Sequence, residues 1–555
     1  MVSVNKRPII YQVMTRLFGS DSKQMCRFGS AEQNGCGKMA DFTQKALEEI
    51  RDLGCTHIWY TGLLEHATQT DYSAYGIAKD HPAVVKGRAG SPYAVKDYYD
   101  IDPDLARQVP LRMKEFENLI HRTHGAGLKV VMDFVPNHVA RQYHSDSKPE
   151  GVIDLGAEDD VLLADAPQND FYYIPGQQFA PDFSLSDGHG NMYVEMPAKA
   201  TGNDCFTASP SKNDWYETVK LNYGHEENGT WHKMLDILLF WAGKQVDAFR
   251  CDMAEMVPCE FWHWAIAQVK EQFPEVQFIA EVYNPDEYRH YLQHGGFDYL
   301  YDKVGLYDTL RSVIGGNSAS CITQCWQQVD DIHDHMLNFL ENHDEQRLAS
   351  DFFAGDAAKG RPALLVSAFM RSNPFMLYFG QELGERGMDE EGFSGCDGRT
   401  TIFDYWTIDT IRRWRHGGFC DGKLLTDEEK ALRHYYSRVL RLCNDEKALR
   451  EGEFFDIMYA NYDNAMMNTH RQYAFLRKCS NALILVVANF DEQGCESSIR
   501  IPRHAFDHFL LPVIRRRRRA LELITAKQET HVLHPEFPIE LSLPPLGGKV
   551  LKFNL

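Results

Sequence analysis

Four short apolar segments of the chain each run into polar, mostly acidic side chains. The four polar ends are Asp133 to His138, Arg250 to Asp252, Ala280 to Glu281 and Glu341 to Asp344. A single carboxylate after a strand is more often a helix cap or a contact with water than a functional group. Carboxylates can also act as nucleophiles or as general acids and bases. Because four such ends occur in one chain, we interpret them as parts of one active site.

The apolar segments alternate with helical patterns, and this alternation predicts how the polar ends come together. Short runs of apolar, β-branched or aromatic residues are typical of strands buried on both faces of a parallel sheet. The predicted strands are Ile9 to Val13, His57 to Tyr60, Lys129 to Val135, Val246 to Phe249, Phe278 to Ala280, Tyr299 to Tyr301, Leu337 to Leu340 and Phe375 to Phe379. Helical patterns such as Asp41 to Leu53, which stops at Gly54, lie between them. Eight such units predict a (β/α)8 barrel, in which functional residues follow the carboxyl ends of the strands.

Two regions interrupt the alternation and predict further domains. Residues 139–228 are rich in Asp, Asn, Gly, Pro and aromatics and are too many for an ordinary loop. After residue 452 the pattern changes to short strands, which are Tyr473 to Leu476, Ala482 to Ala488, Ser497 to Ile501, Ile539 to Leu543 and Lys549 to Phe553. We therefore predict a TIM barrel from 1–138 and 229–452, an insertion after strand three at 139–228, and a C-terminal antiparallel β-sandwich domain at 453–555.

In order along the chain, the polar segments resemble the signature regions of the α-amylase family, glycoside hydrolase family thirteen. The matching segments are Asp133 to His138, Phe249 to Asp252, Ile279 to Glu281 and Asn342 to Asp344. Supporting matches are Ile10-Tyr11-Gln12, Asp97-Tyr98-Tyr99 and Pro374 to Glu382. The resemblance covers the predicted barrel and implies a retaining enzyme that acts on α-linked glucose.

The resemblance implies a role for each acid. Asp252 matches the nucleophile that forms a covalent glycosyl-enzyme, Glu281 the general acid/base, and Asp344 the third acid, which binds sugar hydroxyls. Retention requires the carboxyls of Asp252 and Glu281 to lie only ~5 Å apart. Arg250 is expected to lower the pKa of Asp252 and keep it ionised, whereas the apolar residues before Glu281 would help keep that carboxyl protonated.

Further matching residues are expected to hold the sugar. His138 and His343 match the histidines that hydrogen-bond the sugar at the reacting position. Tyr93 is a candidate stacking platform for the same sugar. Asp133 is expected to orient Arg250 rather than to do chemistry.

The sequence leaves calcium as an open question. Asn137 matches the usual calcium ligand of the family, and Asp182, Asp187 or Asp204 could supply other oxygen ligands, which calcium prefers. The sequence contains no EF-hand-like loop and indicates no organic cofactor.

One segment departs from the family pattern. Many endo-acting members carry a Lys-His pair that grips the leaving glucan soon after the nucleophile, whereas this chain has Met253-Ala254-Glu255 there. We expect cleavage of α-1,4-glucosidic bonds in starch, glycogen or maltooligosaccharides, but hydrolysis and transfer to a sugar acceptor, as by a 4-α-glucanotransferase, both stay open. A non-catalytic carbohydrate-binding subunit ranks far behind, because all three acids are present. A metal-dependent barrel hydrolase would need clustered His and Asp ligands at the strand ends; it ranks last, because the strand ends here carry mainly the acids of the α-amylase pattern.

Composition limits the partners and the compartment. The net charge of −21 disfavours nucleic acid and anionic membranes as partners. The basic run Arg515 to Arg519 is interpreted as a solvated loop or strand edge. Thirteen cysteines, an odd number without a CxxC pair, favour free thiols in a reducing compartment. The sequence shows neither a signal segment nor an apolar run of ~20 residues, and it therefore predicts a cytoplasmic protein. A protein whose signal has been removed would have the same sequence pattern. The sequence leaves the oligomeric state open.

Overall fold

The centre of the protein is a closed barrel of eight parallel strands. We describe it from a computed structural model that covers residues 6–387, 397–513 and 515–555. Each barrel strand pairs with the next one along the chain, and the last pairs with the first. The barrel strands are β1 (Ile9–Met14), β2 (His57–Thr61), β3 (Lys129–Phe134), β4 (Ala248–Cys251), β5 (Gln277–Ala280), β6 (Tyr299–Tyr301), β7 (Met336–Phe339) and β8 (Phe375–Tyr378). The predicted (β/α)8 barrel is confirmed, and every predicted barrel strand overlaps an observed one.

Helices alternate with these strands along the chain. The longer ones are α1 (Gln44–Leu53), α2 (Arg112–Gly125), α3 (Gly229–Gly243), α4 (Cys259–Gln272), α5 (Cys321–Gln328), α6 (Gly360–Phe369) and α7 (Asp427–Asp445), with shorter helices at Tyr288–Gln293, Asp308–Ile314 and Asp409–Arg415. At α1 the Thr43 hydroxyl accepts a hydrogen bond from the Ala46 amide, and Gly54, with φ of 118°, ends the helix. Among the described residues, no helix combines the length and the apolar character needed to cross a lipid bilayer.

The interior of the barrel is packed rather than hollow. A buried cluster inside the barrel contains Ile10, Trp59, Val131, Ala248, Ile279, Tyr301, Tyr307, Leu337, Phe339 and Met376. The rings of Trp59 and Tyr301 also lie against the guanidinium of Arg250, at 5.2 Å and 5.4 Å from its central carbon. The packed interior therefore supports Arg250, which lies at the carboxyl end of β4, as the packed cores of other (β/α)8 barrels support residues at their strand ends.

The insertion after β3 contains little regular structure. Its short antiparallel pairs are His138–Ala140 with Thr218–Lys220, and Tyr173–Ile174 with Ala198–Lys199. It also has a small apolar cluster of its own, which includes Phe179, Tyr193 and Tyr216. Since the first pair begins four residues after β3 ends, it fastens the insertion to the rim of the barrel.

The C-terminal part of the chain is antiparallel, as predicted. Its strands are β9 (Glu453–Asp456), β10 (Gln472–Cys479), β11 (Ala482–Asn489), β12 (Cys495–Ile499), β13 (Arg518–Glu522), β14 (Lys527–His531), β15 (Ile539–Leu543) and β16 (Gly547–Asn554). Six of them form one sheet in the order β9-β10-β11-β16-β13-β14, and β12 pairs with β15. Strands β9, β13 and β14 were not predicted, because they carry many charged or exposed residues. The basic run is mostly exposed and enters β13 at Arg518.

Candidate active site

The carboxyl ends of the barrel strands surround a cavity of about 440 Å³. Its lining includes the three predicted acids and three of the predicted sugar-holding residues, which are Asp252, Glu281, Asp344, Tyr93, His138 and His343. Arg250 and Asp133, the other two predicted residues, are buried beside it. The structure thus brings residues from distant parts of the chain together in one place.

Arg250 holds the two central carboxylates together. Its Nη1 lies 2.5 Å from Oδ1 of Asp252, and its Nη2 lies 2.8 Å from Oε2 of Glu281. Its Nε donates a 3.2 Å hydrogen bond to the hydroxyl of Tyr301. Because the two carboxylates contact nitrogens that share one carbon atom, they must be close neighbours. This fits the ~5 Å spacing of retaining glycosidases better than the wider gap of inverting ones.

The electrostatics of Asp252 differ from the expectation. Burial raises the pKa of the Asp252 carboxyl well above its ordinary value, Arg250 opposes the rise, and Glu281 adds to it. Arg250 thus lowers the pKa of Asp252, as predicted, but burial and the second carboxylate raise that pKa by more, so its net direction is upward.

His343 is fixed in one tautomer by its neighbours. The side-chain amide of Gln12 donates to His343 Nδ1 at 2.8 Å, so Nε2 carries the proton. That nitrogen lies 2.7 Å from the hydroxyl of Tyr93 and 3.2 Å from Oδ2 of Asp344. Burial and then the charge of Arg250 lower the pKa of His343 well below its ordinary value. A neutral Nε2–H donor therefore points along the cavity wall between Tyr93 and Asp344.

Asp344 is the most accessible of the three acids. Its side chain keeps 42% of its surface exposed. The protein atoms that surround the carboxyl within the cavity and the nearby Glu281 raise the pKa of Asp344 to about 7. A partly exposed carboxyl group beside a histidine N–H suits the binding of sugar hydroxyls.

His138 connects the barrel to the insertion. Its Nδ1 lies 3.1 Å from the amide nitrogen of Asn137, and its ring is tilted against that of Trp215 with centroids 5.3 Å apart. Burial, followed by the charges of Lys220 and Lys86, lowers the pKa of His138 to about 3. The imidazole is therefore neutral at physiological pH.

Asp133 lies opposite Arg250 in the register of β3 and β4. Its Oδ2 accepts a 3.3 Å hydrogen bond from the backbone N–H of Gly62, and burial raises its pKa to about 6. Within the described residues no direct ion pair joins the two side chains, so an orienting role of Asp133 stays a prediction.

The residues around Asn137 do not fit a calcium ion. Asn137 Oδ1 accepts a 2.5 Å hydrogen bond from the ammonium of Lys220, which also lies 2.9 Å from Oδ1 of Asp204 and 3.4 Å from the carbonyl of Met256. A divalent cation at these oxygens would be pressed against the ammonium. In the described part of the chain, no group of three or more His, Cys, Asp or Glu side chains is arranged to hold a metal.

The other two candidate calcium ligands are engaged elsewhere in the insertion. Asp182 accepts a hydrogen bond from the Lys212 amide, and Asp187 forms a turn with His189 and Asn191. Of the three predicted partners of Asn137, only Asp204 therefore reaches the same cluster.

Several residues of the cavity were missed from the sequence. The lining residues are Lys86, Trp215, Glu217, Tyr283 and Lys303. Gln12 does not line the cavity but is the buried partner of His343, which does. A buried glutamine within an apolar strand was the available signal for Gln12. Lys86, Trp215, Glu217 and Tyr283 lie on loops or in the insertion, and Lys303 begins a short helical segment after β6. No period or motif marks any of them in the sequence.

Comparisons with known proteins agree with this geometry. The α-amylase catalytic domain profile matches residues 25–429. The chain is 24% identical to α-amylase MalA of Haloarcula japonica, over 87% of this chain and 55% of that protein. It is 23% identical to the α-1,4-glucan:maltose-1-phosphate maltosyltransferase of Picrophilus torridus, over 90% of this chain and 68% of that protein. The chain therefore spans little more than half the length of the first relative.

A solved structure shows the same fold. The maltogenic α-amylase AmyB from Thermotoga neapolitana superposes with a TM-score of 0.62 at 19% identity and 99% coverage of both chains. The family profile covers most of the chain, including all four signature segments. The chain belongs to the α-amylase family.

Proposed function

We propose that the protein cleaves α-1,4-glucosidic bonds of starch-, glycogen- or maltooligosaccharide-type glucans, with retention, through a covalent glycosyl-enzyme. The observation that supports this most is the shared contact of Asp252 and Glu281 with Arg250 at the cavity. A pair of carboxyls with one proton between them is the state that the reaction needs. The matching positions in the family give Asp252 the role of nucleophile and Glu281 the role of general acid/base.

In the first step, a carboxylate oxygen of Asp252 forms a bond to the anomeric carbon of the sugar. The bond from that carbon to the leaving oxygen breaks, and its electron pair stays on the oxygen, which takes the proton from Glu281. In the second step, Glu281 removes a proton from water while the water oxygen replaces Asp252 on the anomeric carbon.

The remaining residues would hold the reacting sugar. His343 and His138 are neutral and can donate or accept hydrogen bonds without adding charge to the site. Asp344 would accept hydrogen bonds from sugar hydroxyls. Tyr93, whose ring is stacked on His343 with centroids 5.2 Å apart, would supply a flat face for the sugar ring.

The anomeric form of the first product tests this mechanism. We expect proton NMR of a maltooligosaccharide digest to show the α-anomer first, before mutarotation. A β-anomer as the first product would contradict retention.

Transfer to a sugar acceptor is the second candidate reaction. It is supported by the similarity to a maltosyltransferase and by the absence of the Lys-His pair after the nucleophile. Both reactions use the same glycosyl-enzyme, and the second step differs only in whether water or a sugar hydroxyl attacks. Product analysis from maltoheptaose separates them, because only transfer makes chains longer than the substrate.

We also propose a cytoplasmic location. The twelve cysteines in the described residues are all free, which fits a reducing compartment. Fractionation of the native host, with a cytoplasmic and an exported marker, tests this proposal.

A further inference from the structure

The loop after β4 forms a close contact with the loop after β5. Glu255 Oε2 accepts hydrogen bonds from the backbone amides of Tyr283 and Asn284, at 3.1 Å and 3.0 Å. In the opposite direction, the amide of Met253 donates to Glu281 Oε2 at 2.9 Å, and the amide of Ala254 donates to the Glu281 carbonyl at 3.1 Å. Four hydrogen bonds thus join residues 253–255, which depart from the family pattern, to residues 281–284, which include the acid/base. We call this set of four hydrogen bonds the lock.

The lock requires an unusual backbone conformation at Met253. Its φ is 42°, in the left-handed region, which residues other than glycine rarely adopt. This conformation points the Met253 amide at the carboxylate of Glu281. Contacts on both sides of Met253 hold it in place.

The lock also places Tyr283. The Tyr283 hydroxyl donates to Glu281 Oε1 at 2.6 Å, and the Tyr283 side chain lines the cavity. Burial and the charges of Glu281 and Asp344 raise the pKa of Tyr283, so the phenol keeps its proton. Both oxygens of Glu281 therefore have defined partners, although its side chain alone has several rotatable bonds.

The two oxygens of Glu281 differ in what they can do. Oε2 accepts from the Met253 amide and lies beside the Arg250 guanidinium, so a proton there would be directed at other donors. Oε1 has the Tyr283 hydroxyl as its partner, and an oxygen that carries a proton can still accept that bond. The proton for the leaving group therefore belongs on Oε1.

We infer that Glu255 is a positioning residue for the acid/base: by holding the backbone of residues 283–284 it keeps the Tyr283 hydroxyl on Glu281 Oε1, the oxygen that protonates the leaving group. The inference rests on the proposed function. It gives Glu255 a task different from gripping the leaving glucan, since Oε2 of its carboxylate is bound to two backbone amides.

The test compares two leaving groups. A maltooligosaccharide needs a proton on its leaving oxygen, whereas 4-nitrophenyl α-maltoside leaves far more easily without one. We expect Glu255→Ala and Tyr283→Phe to lower kcat/KM for maltotetraose by about 10- to 100-fold, with a loss on the aryl maltoside of no more than about threefold. Glu255→Gln retains an acceptor oxygen for the amides and should recover most of the activity. Glu260→Gln, an exposed acid nearby on α4, is the matched control.

Equal losses on the two substrates in both variants would overturn the inference, since a general structural defect lowers both alike. If Glu255→Ala does not fold, Tyr283→Phe, which removes one hydroxyl, decides the question. Glu281→Gln separates this outcome from failure of the proposed function. If Glu281→Gln is as active as wild type on maltotetraose, the proposed function itself fails. If Glu281→Gln loses much more activity on maltotetraose than on the aryl maltoside, but Glu255→Ala and Tyr283→Phe do not, only the inference fails.

Discussion

The two sides of the cavity are built in different ways. One side, which we call the sugar-holding half, consists of Gln12, Tyr93, Arg250 and His343, which lie on barrel strands or are bonded directly to residues near strand ends. The other, the loop half, consists of Trp215, Met253, Glu255 and Tyr283, from the insertion and the loops after β4 and β5. The first is supported by the packed barrel interior, and the second by contacts between loops.

This difference indicates how proteins of one fold can share a reaction at the first sugar but differ in the second reactant, which is water or another sugar. Groups that stabilise the reacting sugar need fixed positions, which buried strand ends supply. Groups that meet the second sugar or water can vary with loop sequence, because loops tolerate change without loss of the core. The departure at Met253 to Glu255 falls on the loop half.

Loss of the nucleophile should remove the activity whatever the second substrate is. Asp252→Asn keeps the shape of the side chain but cannot form the glycosyl-enzyme, and we expect kcat on maltooligosaccharides to fall by about 10⁴-fold or more. Release of reducing sugar measures it, with Asp286→Asn, an exposed acid after β5, as the control. Activity within tenfold of wild type would contradict the assigned role.

The insertion that carries Trp215 should depend on Lys220 rather than on calcium. Lys220→Ala leaves the buried Asn137 Oδ1 without its donor, which we expect to cost about 1–3 kcal/mol and to lower the melting temperature by a few degrees. The wild-type melting temperature should not change with EDTA or added calcium, and Lys212→Ala, an exposed lysine in the insertion, should behave as wild type. A wild-type protein that EDTA destabilises would show that a metal is used.

His138, which is buried in its neutral form, should make the protein sensitive to acid. The unfolded chain protonates His138 below about pH 6.5, whereas the folded protein holds its pKa at about 3. The folded state therefore loses stability as the pH falls through this window, by about 2 kcal/mol for one such group near pH 4.5. We expect the free energy of unfolding of wild type, measured with urea, to fall by about 2 kcal/mol more than that of His138→Gln when the pH is lowered from about 6.5 to about 4.5. His189→Gln, at an exposed position, is the control. Identical acid sensitivity in His138→Gln and wild type would contradict the lowered pKa.

A change in the sugar-holding half should affect all substrates equally. Gln12→Leu leaves His343 Nδ1 without its donor, and we expect kcat/KM to fall by about tenfold on both maltotetraose and 4-nitrophenyl α-maltoside. Gln108→Leu, at an exposed position, controls for the loss of an amide. A loss confined to one of the two substrates would show that Gln12 also serves the leaving group.

A change in the loop half should alter the products more than the rate. Trp215→Ala removes the ring beside His138, and we expect about a fivefold rise in KM for maltoheptaose, a loss of about 1 kcal/mol in sugar contact. The ratio of longer to shorter products should change with it, while the rate on the aryl maltoside changes less. An unchanged ratio of longer to shorter products would argue against a contact between Trp215 and the sugar that accepts the transferred unit.

The sequence alone was enough to predict the barrel and to select residues that the fold brings to one cavity. Asp252, Glu281 and Asp344 each follow a short buried strand, and parallel strands in a closed barrel necessarily bring their carboxyl ends together. The signal is local, because each motif is contiguous with the strand that positions it. Three C-terminal strands, β9, β13 and β14, were not predicted for the converse reason: charged or exposed residues leave them without a clear apolar pattern.

Only the tertiary structure decided the partners of these residues. The lysine at Asn137 lies in the insertion, far along the chain, and no spacing rule places its ammonium at the expected calcium position. The raised pKa of Asp252 depends on burial and on a second carboxylate from another strand. The lock between Glu255 and Tyr283 is made by backbone amides, which carry no sequence signature. Contacts between loops depend on where the whole fold brings them, and so the loop half could be described only once the chain was folded.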